Sequence, residues 1–359
     1  MSHAQYDLII LGGGPAGANL ARRLDTGKFR VCLIDGADPQ HPKPCGGLIS
    51  PDAQTVLAKY GLSLPTQVLA SPQLFSVRVI DLHDGLTRHY QRHYLNVDRQ
   101  RFDRFLLDMV PPAVEVRHAR CTRITRENGR YVLTLRQDGE EVTVSAPQLV
   151  GADGAGSLVR RTIFPHRRIL TYTAIQQWFP AQDMNPYYSC LFDTATSPGC
   201  SWIFFKNDAF IFGGAFAKKN ARDAFEAQKK RLIELGVLSQ QALAAPQRTE
   251  ACLAARPRIG HGVFRGCPGC FLIGEAAGFI SPSSLEGISY ALSSSEALAA
   301  ALIRSDTPGA AFARYRRATA GLHRKVFFRC LKRPFMYRPL LRRLVMRSGL
   351  TAFDLFDRS

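Results

Sequence analysis

The hydrophobic pattern of the chain opens with two short apolar runs that enclose a glycine-rich turn and a helix-forming stretch. Runs of four or five apolar residues are typical of buried parallel strands, and their spacing predicts one βαβ unit. We expect a strand at 8–11, a helix at 18–24 and a strand at 30–34. The turn has the sequence Gly12-x-Gly14-x-x-Gly17, and the second strand ends on Asp35.

Beyond this unit, alternating apolar and polar positions predict a largely antiparallel β region. Period-2 alternation is expected where one face of a strand is buried. The predicted strands are at 73–82, 86–95, 114–116, 130–136, 141–146, 169–179, 187–193, 201–205 and 208–216. The predicted helices are at 51–60, 98–109, 221–235 and 285–303. Two more strand-to-turn junctions occur, at Gly151-Ala-Asp153-Gly154 and at Gly274-Glu275-Ala-Ala-Gly278.

This order predicts an α/β fold with an α+β second domain. A Rossmann-like βαβ domain would comprise 1–72, 96–165 and 256–305. A mainly antiparallel β substrate domain, at 73–95 and 166–255, would be interwoven with it. A basic helical C-terminal segment would follow at 306–359.

The first glycine turn predicts a dinucleotide site. Gly12 permits a tight turn, Gly14 allows the backbone to approach a pyrophosphate, and Gly17 lets the helix lie close to the strand. The free N–H groups at the start of that helix, around Pro15 and Ala16, would face the phosphates. Asp35 stands where a carboxylate accepts hydrogen bonds from a ribose diol.

Composition agrees with a globular protein, with 46% hydrophobic and 21% charged residues. No stretch reaches the roughly 20 apolar residues that cross a bilayer. We expect the nine cysteines to be reduced thiols in the cytoplasm. Cys267-Pro-Gly-Cys270 lacks a second pair at zinc spacing, so we expect no metal.

The net charge of +18 is concentrated near the C-terminus. Residues 307–353 contain twelve Lys or Arg and no Asp or Glu. Basic amphipathic helices, interrupted by Pro334 and Pro339, would suit the headgroup region of an anionic membrane on its cytoplasmic side. The alternative is a helical cap whose apolar face covers the core. No nucleic-acid motif accompanies the charge, so nucleic acid is not an expected partner.

Three further motifs carry a resemblance to a known family. They are Pro42-x-x-Cys45-Gly46-Gly47, then Arg99-x-x-Phe102-Asp103, and Gly274–Gly278 followed by Pro282 and Glu286-Gly287-Ile288. Together with the three glycine turns they resemble the para-hydroxybenzoate-hydroxylase-like FAD oxidoreductases, over about residues 6 to 305. Within that class the chain is most similar to the geranylgeranyl reductase family and to its small CbrA-type bacterial subgroup.

The resemblance implies FAD as the cofactor, with NADPH or NADH as a transient electron donor. The FAD-binding residues it implies are Gly12, Gly14, Pro15, Ala16, Gly17, Asp35, Cys45, Gly46, Gly47, Arg99, Ala119, Asp153, Gly154, Glu275, Gly278, Pro282, Gly287 and Ile288. Cys121 is the alternative to Ala119 beside the adenine. Two positions depart from the family pattern, since Asp35 replaces a Glu and Glu275 replaces an Asp.

The resemblance also implies hydride transfer from reduced flavin to an apolar double bond, with an isoprenoid lipid as the substrate class. Candidate catalytic residues are Cys45, Trp202 and Gln177, and Trp178, Trp202, Phe204 and Phe212 are candidates for an apolar pocket. The run Cys200-Ser-Trp202-Ile-Phe204-Phe205 lacks the Tyr and Pro of the family's prenyl-binding run. Two alternatives stay open: an FAD-dependent monooxygenase of the same fold, and a membrane-associated flavin-binding regulatory protein without turnover.

Overall fold

The computed structural model describes residues 4–37, 44–181 and 187–356. Pro42 of the Pro-x-x-Cys-Gly-Gly motif lies outside these residues. The strands are β1 (Ala4–Gln5), β2 (Leu8–Leu11), β3 (Val31–Asp35), β4 (Leu48–Ile49), β5 (Leu74–Asp81), β6 (Leu86–Asn96), β7 (Glu115–His118), β8 (Arg120–Glu127), β9 (Arg130–Gln137), β10 (Glu140–Ala146), β11 (Gln148–Gly151), β12 (Leu170–Pro180), β13 (Tyr188–Phe192), β14 (Ser201–Lys206), β15 (Ala209–Ala217), β16 (Arg248–Arg256), β17 (Gly266–Cys267), β18 (Cys270–Leu272) and β19 (Ala352–Phe353).

The α-helices connect these strands and form the C-terminal region. They are α1 (Pro15–Arg23), α2 (Pro51–Lys59), α3 (Arg99–Asp108), α4 (Leu158–Ile163), α5 (Ala221–Glu234), α6 (Ile288–Ile303), α7 (Pro308–Ala318), α8 (Ala320–Tyr337) and α9 (Pro339–Arg347). Helix α1 starts three residues earlier than predicted, because Pro15 at the first helical turn has the right φ and needs no N–H partner there.

The chain divides into two compact units. The first comprises residues 1–43, 100–170 and 255–329, and the second comprises 44–99, 171–254 and 330–359. These boundaries differ from the predicted ones at 44–72 and in the C-terminal region. The reason is strand pairing: β4 pairs with β6, and β19 adds to the other end of β6, so both segments join the second unit.

The first unit contains a six-stranded sheet in the order β17-β18-β11-β2-β3-β7. Its neighbours from β18 to β7 are parallel, and β2, β11 and β18 bring the three predicted glycine turns to their carboxyl ends, while β3 ends on Asp35. A hydrophobic cluster that includes Leu8, Leu20, Leu33, Phe271 and Tyr315 buries helices α1, α6 and α7 against this sheet. A smaller sheet, β1-β10-β9-β8, completes the unit.

The second unit is built on one large sheet in the order β16-β12-β15-β14-β13-β5-β6-β19, which β4 joins at β6. Most neighbours are antiparallel, as predicted, while β13 and β5 run parallel. One face packs on α5 through residues such as Phe212 and Phe225. The other face carries a second cluster that includes Phe204, Ile211 and Cys190.

Apart from strands of two residues, two strands escaped prediction because their sequences are polar. β8 contains Arg120, Arg123 and Arg126, and β16 begins with Arg248. Both strands lie at the edge of a sheet, where charged side chains stay in solvent while the backbone still pairs. Hydrophobic alternation therefore gave no signal.

The C-terminal segment is helical, but the predicted interruption at Pro334 is wrong. Helix α8 runs through Pro334, and only Pro339 starts a new helix. A proline removes a single backbone donor, and α8 continues beyond Pro334, where Met336 and Tyr337 pack against the second unit's apolar cluster. Within the described residues, no helix has the length and apolarity needed to cross a bilayer.

Candidate flavin site

The turn between β2 and α1 has the shape of a phosphate cradle. Gly12 has a φ of 115°, and a Cβ on Gly17 would stand 1.8 Å from the Gly12 carbonyl oxygen. A Cβ on Gly14 would meet nothing within 4 Å. Gly14 is the N-cap of α1, and no side chain caps this end. The first-turn N–H groups therefore face open space above Gly14, as an anion requires.

Asp35 lies beside this cradle at the end of β3. Its carboxylate is buried, and a Cβ on Gly13 would come within 2.6 Å of Asp35 Oδ1. The same oxygen accepts a hydrogen bond from Ala37 N, and Oδ2 lies 3.4 Å from Nδ1 of His118. Asp35 thus reaches the glycine turn despite being one methylene shorter than Glu. His118, which the sequence analysis missed, is a mostly exposed neighbour of this carboxylate.

The two candidates for the adenine side, Ala119 and Cys121, follow β3's neighbour β7 along the chain. The N–H of Ala119 donates to the carbonyl oxygen of Asp35 at 3.0 Å, so Ala119 lies directly beside the ribose candidate. Cys121 follows in β8, and burial raises the pKa of its thiol to about 12. Which of the two contacts the adenine stays a prediction.

Asp153 braces the second glycine turn from within. Its Oδ2 accepts hydrogen bonds from the N–H groups of Leu158 and Val159, and its Oδ1 accepts one from the Ser157 hydroxyl at 2.6 Å. These bonds hold the start of α4 at the end of β11. Gly154 has a φ of 74°, which a glycine adopts readily. The carboxylate of Asp153 therefore stabilises the start of α4 in the protein.

The third turn is a short 3₁₀ helix at Gly274–Ala277 that ends on Gly278 in the left-handed conformation. Glu275 Oε1 accepts a hydrogen bond from the N–H of Ala255 at 2.8 Å, which ties the turn to the end of β16. The N–H of Gly274 donates to the Ser294 hydroxyl of α6. The longer Glu side chain therefore engages the backbone of a neighbouring strand.

Helix α6 begins at Ile288 with Gly287 as its N-cap, and no side chain caps this end. The first N–H groups of a long helix carry its positive dipole end. Pro282 lies in the loop that leads to it. The helix predicted at 285–303 is thus confirmed, with its start three residues later than predicted.

In the second unit, Cys45, Gly46 and Gly47 lie against the end of β14. A Cβ on Gly46 would stand 2.9 Å from the ring of Phe204, and one on Gly47 would stand 2.2 Å from the carbonyl oxygen of Val97. Gly47 N donates to Cys45 Sγ at 3.5 Å. The glycines are thus required for the close packing against Phe204 and Val97. Their contact with the flavin ring stays a prediction.

Lys206 is a buried cation at this place that the sequence analysis did not single out. Its Nζ donates to the carbonyl oxygen of Val97 and would lie 2.6 Å from a Cβ on Gly47. Burial lowers the pKa of Lys206 to about 8, and the nearby charge of Arg99, at the start of α3, lowers it further, while Cys45 and Asp98 act in the opposite direction. The signal was present: a lysine ends the otherwise apolar strand β14, in phase with Trp202 and Phe204.

Trp202 and Phe204 share the sheet face on which Gly46 packs. Trp202 pairs across the sheet with Gly213, whose missing Cβ leaves room for the indole nitrogen. Farther along this face, a buried carboxylate, Glu250, accepts hydrogen bonds from Gln176 and from the Trp178 indole. The face is therefore aromatic, with one polar cluster at its β16 edge.

Gln177 and Phe212 are not part of this group. Gln177 points to the opposite face, where it donates to Thr249 and accepts from Lys229 of α5. Phe212 stacks on Phe225 of α5 at 5.2 Å between ring centroids. The strand alternation places both residues away from Trp202, so the expected apolar pocket loses Phe212. Of the candidate catalytic residues, Trp202 lies on the sheet face on which Gly46, the neighbour of Cys45, packs.

Comparison with known proteins now identifies the kind of cofactor. A sequence profile described as the FAD binding domain matches residues 5–314. The chain belongs to this FAD-binding family. It is 43% identical to Protein CbrA of Escherichia coli O6:H1 over 96% of this chain and 94% of that protein. It is 42% identical to Protein CbrA of Shigella flexneri serotype 5b over the same shares of both chains.

Solved structures show the same fold at lower identity. A geranylgeranyl bacteriochlorophyll reductase-like protein from Thermoplasma acidophilum aligns with a TM-score of 0.82 and 19% identity, over 100% of this chain and 94% of that one. A probable FAD-dependent monooxygenase from Pseudomonas aeruginosa aligns with a TM-score of 0.70 and 18% identity, over 96% and 99%. The predicted para-hydroxybenzoate-hydroxylase-like fold is confirmed.

The residues of the chain fit FAD. The open cradle above Gly14 and the buried carboxylate of Asp35 suit a pyrophosphate and an adjoining ribose. The protein is accordingly an FAD-dependent oxidoreductase. The individual binding residues, including Arg99 and Pro282, stay predictions.

Proposed function

We propose that this oxidoreductase reduces an apolar carbon–carbon double bond, with an isoprenoid-like lipid as the substrate class. The observation that supports this best is the aromatic sheet face of Trp202 and Phe204, against which the Cys45-Gly46-Gly47 segment packs. The likeness of fold to the geranylgeranyl bacteriochlorophyll reductase-like protein agrees with it. An aromatic wall provides apolar contact area and excludes water from a reacting lipid chain.

When bound and reduced by transiently visiting NADPH or NADH, FAD would supply the hydride for one carbon of the double bond, and a proton held by the protein would go to the other carbon. The chain's part is to bind, orient and protonate. We assign the N–H groups at Gly287 and Ile288 to the ring edge that gains negative charge. Trp202 orients the substrate. The Cys45 thiol is the candidate that holds the proton at Sγ, beside the Lys206 ammonium.

The test is anaerobic reduction of the purified protein by NADPH, NADH and dithionite, followed by reoxidation with candidate prenyl lipids. We expect lipid-dependent reoxidation and a saturated product. Trp202→Ala should slow this reoxidation by about tenfold or more, since a buried aromatic contact is worth roughly 1–3 kcal/mol. FAD content should stay unchanged. Phe75→Ala is the matched control, because Phe75 is an exposed aromatic residue of the same sheet.

Two outcomes would overturn the proposal. Substrate-triggered NADPH oxidation with matching oxygen uptake and a hydroxylated product would establish the monooxygenase alternative. Full FAD occupancy with no donor able to reduce the flavin would favour a flavin-binding protein without turnover.

We also propose that the C-terminal segment contacts an anionic membrane surface at the cytoplasmic side. Its inner side is anchored to the second unit by buried contacts: Arg342 donates two hydrogen bonds to Asp81, at 2.7 and 2.8 Å. Its outer side, which we term the tail face, exposes apolar and basic residues together. The tail face comprises Leu331, Lys332, Phe335, Arg338, Leu340, Leu344 and Arg347.

The composition of the tail face supports this proposal. Leu340 and Leu344 are 70% and 67% exposed and lie one turn apart on α9. Apolar side chains at helical spacing, flanked by arginines and without acids, suit insertion among anionic headgroups. An isoprenoid-like lipid, the substrate class proposed above, would be located in the same membrane.

A further inference from the structure

A groove in the first unit is lined by four arginines, one histidine and two alanines. Its volume is about 460 Å³, within the range of small-molecule sites. The charged and titratable residues that line it are Arg265, Arg316, Arg317, His323 and Arg324. We term it the basic groove. None of these residues is among those assigned to FAD.

The fold builds the basic groove from one helical stripe and one loop. Arg316 and Arg317 are adjacent near the end of α7, Arg324 follows near the start of α8, and all three line the groove. Ala313 and Ala320 lie between them in the lining and leave space above the backbone. Arg265 comes from the loop that precedes β17.

Buried contacts fix this arrangement. The hydroxyl of Tyr315, a fully buried residue of α7, donates to the carbonyl oxygen of Leu272 at 2.7 Å. The N–H of Leu272 in turn donates to the carbonyl oxygen of Arg265 at 3.0 Å. The helix and the loop are thus tied to the same strand, which fixes the backbone positions from which the arginine side chains extend.

The charge of the basic groove is not neutralised within the described part of the chain. No described carboxylate pairs with any of its four arginines, whereas Arg23 pairs with Glu296 at 2.9 Å and Arg329 lies 3.8 Å from Glu286. Arg265 Nε is buried and has no hydrogen-bond partner among the described residues. A buried donor without a partner is costly, and a bound anion would satisfy it.

The mutual repulsion of these groups is visible in their ionisation. Burial lowers the pKa of Arg265, Tyr315 acts in the opposite direction, and the neighbouring Arg316 has a smaller lowering effect. Burial and then Arg265 lower the pKa of His323. An anion in the groove would relieve this repulsion.

We propose that the basic groove binds a phosphate-bearing ligand with at least two negative charges, from a soluble nucleotide or from a lipid headgroup. Guanidinium groups match phosphate oxygens in pairs of parallel hydrogen bonds, and several converge here around one opening. The proposal does not depend on the reductase reaction, because it concerns a second anion site in the FAD-loaded protein.

The test is calorimetric titration of the FAD-saturated protein with inorganic pyrophosphate. Saturation with FAD keeps the probe away from the cofactor's own phosphate cradle. Arg265→Met and Arg317→Met should each weaken pyrophosphate binding by about tenfold or more, as expected for the loss of a charge-assisted hydrogen bond. Arg317→Lys should retain part of the affinity. Arg314→Met is the matched control, since Arg314 is an exposed residue of α7 outside the lining.

Two further arms separate the sources of phosphate. Adenosine 2′,5′-bisphosphate tests a nucleotide, and vesicles that contain phosphatidic acid test a lipid headgroup. Binding of either, weakened by Arg265→Met but not by Arg314→Met, supports the site and names its source. Absence of pyrophosphate binding, or equal weakening by Arg314→Met, would overturn the proposal and leave only a diffuse basic surface.

Discussion

At the scale of single residues, three glycines and one lysine define the most specific features of the candidate flavin site. Gly12, Gly14 and Gly17 were predicted from spacing alone, and each meets a different steric condition in the structure. Lys206 was not predicted, because a lysine at the end of a strand is usually solvated. Its burial depends on Val97 and Gly47, which are distant in sequence.

The glycine turn gives a prediction with an internal control. Gly14→Ala should leave the free energy of unfolding within about 1 kcal/mol of the wild type, since its Cβ meets no protein atom. It should nevertheless lose FAD, because the methyl group enters the phosphate cradle. Gly17→Ala should destabilise the protein itself by about 1–3 kcal/mol, because its Cβ meets the backbone oxygen of Gly12.

Bound flavin absorbance and urea unfolding, with and without added FAD, distinguish these effects. A Gly14→Ala protein that retains FAD as the wild type does would show that the turn is not the cofactor's phosphate site.

Lys206 predicts a specific pH dependence of stability. Its pKa in the folded protein is about 8, below the value of about 10.4 for an unfolded chain. Between these two pKa values the unfolded chain binds more protons than the folded protein does. The free energy of unfolding therefore rises with pH in this range, and the destabilising contribution of Lys206 is fully present below about pH 8. In Lys206→Met that contribution is absent.

The measurement is the difference in urea-unfolding free energy between wild type and Lys206→Met at several pH values from about 8 to about 10. Taking the difference removes the contribution of the buried cysteines, which titrate in the same range. A difference that stays constant with pH would show that Lys206 is not desolvated in the folded state.

At the scale of elements, the C-terminal helices show how one sequence pattern serves two surfaces. The alternatives left open by the sequence were a helical cap over the core and a membrane-binding segment. Met336 and Tyr337 pack against the second unit, and Arg343 pairs with Asp84, so the inner side is a cap. The tail face remains exposed, and the two interpretations describe opposite sides of the same helices.

The tail face predicts binding to anionic vesicles. Leu340→Glu combined with Leu344→Glu should abolish flotation with phosphatidylglycerol vesicles, because both apolar contact and charge attraction are lost. FAD content and unfolding free energy should change little, since both side chains are mostly exposed. Leu235→Glu, at an exposed leucine that follows α5, is the control. Flotation that persists in the double variant would remove the tail face from membrane contact.

At the scale of the whole molecule, the sequence determined the fold class and the cofactor. The reason is local: the βαβ unit, its glycines and Asp35 lie within thirty residues, and strand period and turn chemistry are encoded residue by residue. The strands β8 and β16 were missed because pairing at a sheet edge leaves no hydrophobic period.

Only the tertiary structure decided which residues meet across long separations. It placed Lys206 beside the Cys45 segment, turned Gln177 and Phe212 toward α5, and assembled Arg265 with Arg317 in the basic groove. Strand alternation shows that two neighbouring residues point to opposite faces of a sheet. Which of the two faces packs on α5 is decided by the sheet order and by burial. Such contacts depend on the packing of distant elements, and no local pattern encodes them.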